Sequence, residues 1–119
     1  MIYAIDHIQL SIPPGGEDAG RTFYVEVLGF TELPKPPELA GRGGAWFEQG
    51  GVRLHLGVEP DMRPMKKAHP ALLTDDLLAL IDKCHQHGVQ VSFDVALTGY
   101  ERAHIVDPFG NRIELLQKV

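Results

Sequence analysis

Four side chains that can ligate a metal ion interrupt the apolar patterns of this sequence. They are three histidines and one glutamate: His7, His55, His69 and Glu114. Neutral imidazole and carboxylate groups together suit Zn, Fe(II), Mn, Ni or Co. Two histidines and one carboxylate can hold one face of an octahedral ion and leave positions open for water or a substrate. These residue types therefore predict a divalent-metal site with an open coordination position.

Each of these side chains, taken alone, also has an ordinary structural explanation. A single histidine in a strand is usually a surface or hydrogen-bonded residue. Glu114 on a solvated sheet face would pair with Arg112 or Arg53, because glutamate is rarely buried without a partner. The agreement of four positions at equivalent ends of two repeated segments favours the metal site over these explanations.

Strand alternation predicts which way these side chains point. Successive side chains of a strand lie on opposite faces of the sheet. In "VRLHL" (52–56) the valine and leucines share one face, and Arg53 and His55 share the other. In "NRIELL" (111–116) Glu114 lies on the face opposite the isoleucine and the leucine that flank it. His7 and Gln9 likewise share one face of the first strand, so these polar side chains all point away from the apolar faces.

The elements that carry them form two similar series, each reading strand, helix, strand, strand, strand. Gly29 and Gly88 are placed as helix stops, and Thr74 or Asp75 as the N-cap of the second helix. "GVRLHL" (51–56) aligns with "GNRIEL" (110–115), which places His55 over Glu114. The predicted elements are strand 2–12, helix 17–29, an extended loop or edge 30–41, hairpin 44–59, strand 68–74, helix 74–88, strand 89–95 and hairpin 101–117.

This pattern predicts an α+β fold in which two tandem βαβββ modules form a cupped mixed sheet with helices outside. We expect a single domain over 1–119, with module 1 at about 1–60 and module 2 at about 67–119. Trp46 and Phe47 are interpreted as core or pocket wall, and Cys84 as inert packing.

The bulk properties exclude several classes of protein. The chain has 119 residues and a net charge of −5, which argues against a nucleic-acid surface. Its apolar runs are too short to span a bilayer, and its start lacks a signal-peptide pattern. The single cysteine excludes an internal disulfide and a thiolate cluster. We therefore expect a cytoplasmic protein that contacts neither nucleic acid nor membrane.

Several quoted segments together resemble the vicinal oxygen chelate superfamily. They are "DHIQLSI", "VEVLGF", "GVRLHLG", "AHPALLTDDL" and, most specifically, "DPFGNRIELL". That superfamily includes glyoxalase I, fosfomycin-resistance transferases, bleomycin-resistance proteins, methylmalonyl-CoA epimerase and extradiol dioxygenases. The resemblance implies one divalent ion held by paired βαβββ modules. It also implies a homodimer whose sites are shared between chains.

The resemblance assigns metal ligands residue by residue. His7 matches the ligand of the first strand, His69 the histidine that opens the second module, and Glu114 the glutamate of the final strand. His55 is a conditional fourth ligand, because it stands where bacterial glyoxalase I has a ligand carboxylate. The histidine at this position makes the match to glyoxalase I incomplete. Zn, Ni, Mn, Fe and Co all remain open as the metal.

The resemblance implies a small-molecule substrate that presents two neighbouring oxygens. Glu114 is the predicted general base of a glyoxalase-like lyase or isomerase. Strand parity and the resemblance together predict Gln9, Arg53, Arg102 and His104 as substrate-binding residues, and for His104 a role in supporting a metal ligand also stays open. A basic run before His69, Arg63 with Lys66 and Lys67, either is solvated, as charge runs usually are, or attracts an anionic substrate. Three alternatives remain: fosfomycin-type thiol transfer, Fe(II)-dependent oxygen insertion, and drug sequestration of the bleomycin-resistance kind without catalysis.

Overall fold

The chain folds into two compact units. A computed structural model describes all 119 residues and divides them into Met1–Arg63, the first unit, and Pro64–Val119, the second unit. No helix has the length and apolar character needed to cross a membrane.

The first unit contains four strands and two short helices. Helix α1 continues without a break into a wider π-helical segment, Thr22–Val27, in which the amide of Leu28 donates to the carbonyl of Phe23. The elements in chain order are β1 (Ile8–Ile12), α1 (Glu17–Arg21), β2 (Thr31–Leu33), α2 (Pro37–Ala40), β3 (Ala45–Gln49) and β4 (Val52–Val58).

The second unit repeats this order with one main helix. Its elements are β5 (Ala71–Leu73), α3 (Leu77–Gln86), β6 (Val91–Ser92), β7 (Tyr100–Val106) and β8 (Arg112–Lys118). The two sheets have the same topology, with strand orders β1-β4-β3-β2 and β5-β8-β7-β6. In each sheet the first strand runs parallel to the last, and the other pairings are antiparallel. The predicted fold class, two βαβββ modules with mixed sheets, is confirmed.

Each sheet has one apolar and one polar face. In the first unit Phe47 and Leu54 are fully buried on the apolar face, and Tyr24 of the helical segment is buried with its ring stacked on that of Phe47. In the second unit Ile105 and Ile113 are fully buried. Removing this apolar area from water stabilises each sheet and fixes its register, because a slip of one residue would expose the apolar set. The polar side chains therefore stay on the opposite face.

The first strand is shorter than the sequence predicts. The predicted strand covers 2–12, whereas β1 begins at Ile8. Ile8 pairs with Leu54 in the parallel ladder, and β4 begins only two residues earlier, at Val52. Residues 1–5 therefore run past the end of β4, where no strand supplies ladder hydrogen bonds. Two other strands are also shorter than predicted. The strand predicted over 68–74 is β5 (Ala71–Leu73), and the strand predicted over 89–95 is β6 (Val91–Ser92).

Helix α3 begins one or two residues later than predicted. Its N-cap is Asp76, whose carboxylate accepts a hydrogen bond from the amide of Ala79 at 3.0 Å. Thr74 lies outside the helix, and its hydroxyl accepts from the Asp76 amide at 3.2 Å. The N-cap assignment to Thr74 or Asp75 was thus wrong. The segment 30–41 also differs from the predicted loop or edge, because it contains the helix α2 after β2.

The turn between β7 and β8 explains the segment "DPFGN". One carboxylate oxygen of Asp107 accepts from the amides of Phe109 and Asn111 at 2.9 and 2.8 Å. The other oxygen accepts from the Asn111 side-chain amide at 2.8 Å. Gly110 has a φ of 93°, and a Cβ there would lie 2.8 Å from Pro64, so the turn requires glycine. This rigid turn fixes the register between β7 and β8.

Candidate functional site

Strand register brings three ligand-type side chains together in the second unit. Glu114 of β8 lies between two neighbours, Ala71 of β5 and His104 of β7. His69 comes two residues before Ala71 and shares its side of the chain. His104 and Glu114 lie at equal distances from the "DPFGN" turn, so they face each other across the hairpin. The sequence of the hairpin could therefore have predicted this pairing.

The three side chains form a compact cluster on the polar face. One ligand atom from each of His69, His104 and Glu114 lies within 4.8 Å of the other two. The rings of His69 and His104 meet edge to face, with centroids 5.6 Å apart and planes at 77°. His104 and Glu114 are buried, whereas 29% of the His69 side chain remains exposed. The cluster therefore has a buried floor and an opening on the His69 side.

Hydrogen bonding shows that this cluster needs a positive charge. Nδ1 of His69 lies 2.7 Å from the carbonyl oxygen of Lys67, and a carbonyl only accepts, so Nδ1 carries a proton. Nε2 of His69 then faces Oε1 of Glu114 at 3.2 Å. In a neutral imidazole that would place a lone pair against a carboxylate oxygen. Either a second proton on the ring or a cation between the two atoms is required.

Arg102 holds the other oxygen of Glu114. Its Nη1 donates to Oε2 at 3.1 Å. Its Nε and Nη2 both donate to the carbonyl of Val95, at 3.1 and 2.6 Å. The guanidinium is thus fixed on both sides, and Glu114 keeps only Oε1 for an exchangeable partner. Several arginines could pair with Glu114 from the sequence, and the structure shows that Arg102 does so.

The protonation equilibria of the cluster follow from burial and from these bonds. Burial acts to raise the pKa of Glu114, but the hydrogen bonds from Arg102 and His69 outweigh it and hold that pKa below its ordinary value. Burial also lowers the pKa of His104. Both shifts favour the forms that ligate metal ions, the ionised carboxylate of Glu114 and the neutral imidazole of His104.

These observations fit a divalent cation. Two imidazole nitrogens and one carboxylate oxygen are the donor set preferred by Zn, Fe, Ni, Co and Mn sites with open positions. The carbonyl bonded to His69 Nδ1 is the outer partner that orients a ligating histidine. Of the predicted ligand set, His69 and Glu114 lie together in this cluster. His104, expected to contact substrate, adjoins them directly.

The two remaining predicted ligands lie together in the first unit, in a stack of three rings. His55 is buried between His7 and Trp46, with ring centroids 4.1 and 4.0 Å apart and interplanar angles of 17° and 4°. Trp46 and His55 are direct neighbours across β3 and β4. Trp46 was expected to be core or pocket wall. Strand alternation combined with the register of the hairpin could have predicted its contact with His55.

Acidic and basic groups surround this stack. Nδ1 of His7 bonds to Asp6 at 2.9 Å, and this hydrogen bond lowers the pKa of Asp6. Arg53 approaches the same carboxylate at 3.8 Å and is half exposed. Burial lowers the pKa of His55, and the neighbouring charge of His7 acts in the same direction. Both effects favour the neutral form of the buried His55 imidazole.

The predicted substrate-binding residues occupy different surroundings. Gln9 is the ladder neighbour of His55 on β1, and its side chain lies over Gly57. Arg53 lies two residues before His55 on the same face of β4. Arg102 directs its donors to Glu114 and Val95, and His104 lies in the cluster. Their contacts with a substrate stay predictions.

A family model for the Glyoxalase/Bleomycin resistance protein/Dioxygenase superfamily matches residues 4–115. The chain belongs to this superfamily. That assignment agrees with the vicinal oxygen chelate resemblance and confirms it. Membership agrees with the two βαβββ units of the chain.

Solved structures of this superfamily resemble the whole chain. A protein from Bacillus anthracis described as a glyoxalase family protein is 40% identical, with a TM-score of 0.95, over 100% of this chain and 98% of its own. TnmS3, an antibiotic binding protein from Streptomyces sp. CB03234, is 28% identical, with a TM-score of 0.74, over 99% and 100%. FosX, a fosfomycin resistance protein from Listeria monocytogenes, is 14% identical with a TM-score of 0.81 over 100% and 96%, and shows the fold alone. Among curated proteins, none matches.

Proposed function

We propose that this chain is a divalent-metal-dependent enzyme of the superfamily, with glyoxalase-like lyase or isomerase chemistry on a small substrate bearing two neighbouring oxygens. The observation that carries the proposal is the 3.2 Å contact between His69 Nε2 and Glu114 Oε1, which a bound cation would satisfy in place of a second proton on the ring. His69 and Glu114 are the ligands on which it rests. His7 and the conditional ligand His55 stay predictions.

A bound divalent ion supplies Lewis acidity toward the substrate oxygens. Arg102 fixes Oε2 of Glu114, so Oε1 would be the oxygen that ligates the ion and that, once released from it, accepts a proton next to a carbonyl. The same residue can return that proton at the neighbouring carbon, which is what an isomerisation requires. Burial of His104 and Glu114 keeps water from the inner side of the cluster.

Metal reconstitution followed by a substrate screen tests this proposal. Protein freed of metal with EDTA would be reloaded separately with Zn, Ni, Mn, Fe(II) and Co. It would then be assayed with methylglyoxal–thiol adducts, fosfomycin plus thiols, and catechols. We expect metal-dependent turnover of the thiol adducts, lost in His69→Ala and Glu114→Gln and kept in His85→Ala, whose exposed side chain lies on α3. Turnover that is equal with and without metal would contradict the proposal.

A second candidate is small-molecule binding without catalysis. The likeness to the antibiotic binding protein TnmS3 over nearly the whole chain favours it, as does the stack of flat rings in the first unit. The screen separates the two candidates, because a sequestering protein would bind its ligand without turnover and without a metal requirement. Thiol transfer to an epoxide stays an alternative that the fosfomycin arm of the screen examines.

We also propose that the chain acts as a homodimer in the cytoplasm. Support for the dimer comes from apolar side chains left exposed at the N-terminus, among them Ile2, Tyr3 and Ile5, since contiguous exposed apolar surface often marks an interface. Light scattering would show about twice the chain mass of 13.1 kDa. A monomer at micromolar concentration would contradict the dimer.

A further inference from the structure

The two units place chemically different residues at the same three sheet positions. In the second unit Glu114 has His104 opposite it on the neighbouring strand and His69 just before the parallel strand. In the first unit His55 has Trp46 opposite it and His7 just before the parallel strand. The corresponding pairs are therefore His7 with His69, Trp46 with His104, and His55 with Glu114.

We propose that His104 is the third protein ligand, so that the second unit holds the divalent ion through its own residues. This inference rests on the proposed function, which requires a metal but leaves the third ligand open. It goes beyond the ligand set that the resemblance implies, in which His104 has no part as a ligand.

The geometry of the second unit supports three converging ligands. The ligand atoms of His69, His104 and Glu114 lie within 4.8 Å of one another. The two imidazole planes are nearly perpendicular, at 77°, so their in-plane lone pairs can be directed at a common point. His104 sits next to Glu114 as its cross-strand partner, which keeps the two groups together whatever the state of His69.

The first unit lacks these properties at the corresponding positions. The rings of His7 and His55 are stacked with planes at 17°, so their in-plane lone pairs run side by side. Trp46, which takes the place of His104, offers a donor N–H and no ligand atom. Its ring covers the other face of His55 at 4.0 Å. Shared ligation of one ion by His7 and His55 would require this stack to open.

Titration of the full-length, metal-free protein with Co²⁺ and with Zn²⁺ tests the inference. Visible absorption would follow cobalt binding, and calorimetry would follow zinc binding. We expect His104→Ala to weaken both affinities at least about 10-fold, as His69→Ala does, since each removes one ligand. His7→Ala is the discriminating variant and is expected to stay within about 3-fold of the parent, like the α3 control His85→Ala.

Each outcome has a distinct meaning. Affinity lost in His7→Ala and kept in His104→Ala would overturn the inference and leave the metal-dependent function standing. A parent protein that binds neither cobalt nor zinc would overturn both. Circular dichroism checks folding, and if His104→Ala fails to fold, His104→Gln carries the same test with a side chain that still hydrogen-bonds. Unchanged cobalt affinity in the folded His104→Gln protein would equally overturn the inference.

Discussion

At the scale of single residues, Glu114 determines what the second unit can bind. Strand alternation predicts that its side chain leaves the apolar face, and the structure agrees. The identity of its partner was not predictable in the same way, because three arginines were within reach along the sequence. Arg102 pairs with Leu116 across the ladder, which makes it the diagonal neighbour of Glu114. Arg112 instead donates to the carbonyl of Lys66 at 2.7 Å.

Removal of Arg102 is expected to destabilise the metal-free protein. Arg102→Gln leaves Oε2 of Glu114 buried without its charged donor, at a cost of about 2 kcal/mol in the free energy of unfolding. Urea unfolding in EDTA measures this change. Arg42→Gln, at an exposed position of the first unit, serves as the matched control and should stay within about 0.5 kcal/mol. Equal effects of the two substitutions would contradict a structural role for the Arg102–Glu114 pair.

At the scale of elements, the sequence predicts which segments are helices and strands better than where they end. The buried residues of α3, Leu77, Ile81 and Cys84, have the spacing of one helix face, and α3 lies within the predicted helix 74–88. Its start was misplaced because Thr74, Asp75 and Asp76 are all residue types that cap helices, and only the backbone path selects Asp76. In the same way, the number of residues in β1 depends on where β4 begins, which the first strand does not encode.

The N-cap of α3 gives a direct comparison between neighbouring aspartates. Asp76→Ala removes the acceptor of the Ala79 amide and should lower the free energy of unfolding by about 1 kcal/mol. Asp75→Ala should change it by less than about 0.5 kcal/mol, because Asp75 is exposed and outside the helix. Urea denaturation of the two variants side by side measures the difference. A larger loss in Asp75→Ala would show that the helix begins earlier.

The correspondence between the two sheets can be tested by building the second triad into the first unit. Trp46→His combined with His55→Glu gives the first unit the residues of the second at the same register positions. We expect the double variant to bind about two cobalt ions per chain where the parent binds about one. Calorimetry measures the stoichiometry. A folded double variant that still binds a single ion would show that the two faces are not equivalent.

At the scale of the whole molecule, repeat structure and polar faces were predictable, whereas side-chain packing between strands was not. The alignment of "GVRLHL" with "GNRIEL" predicted that His55 and Glu114 are equivalent, and both sheets bear this out. The stacking of Trp46, His55 and His7 depends on rotamers and on the cross-strand register, which alternation alone does not specify. The sequence therefore located the polar faces, and the structure distinguished a ring stack from a ligand cluster.

Buried titratable groups in both units make the stability of the metal-free protein depend on pH. Folding lowers the pKa of His55 and His104, so their contribution is complete above the ordinary value of 6.5 and is lost as the pH falls below it. The lowered pKa of Glu114 adds a further loss below 4.5. Urea unfolding in EDTA should show stability falling from pH 7.5 to pH 5.5. His104→Gln should make the stability depend less steeply on pH, and the control His85→Ala should leave the dependence unchanged. An unchanged slope in His104→Gln would show that His104 does not contribute to the pH dependence.

Metal retention by the parent protein and by Glu114→Gln tests the proposed function most directly. The substitution keeps the shape of the side chain and removes its negative charge, so it changes the ligand without opening a cavity. After incubation with Zn²⁺ or Ni²⁺ and gel filtration, metal analysis should find about one ion per parent chain and at least about 10-fold less in Glu114→Gln. A parent chain that retains no metal, or a folded Glu114→Gln chain that retains as much as the parent, would contradict a metal site at His69 and Glu114.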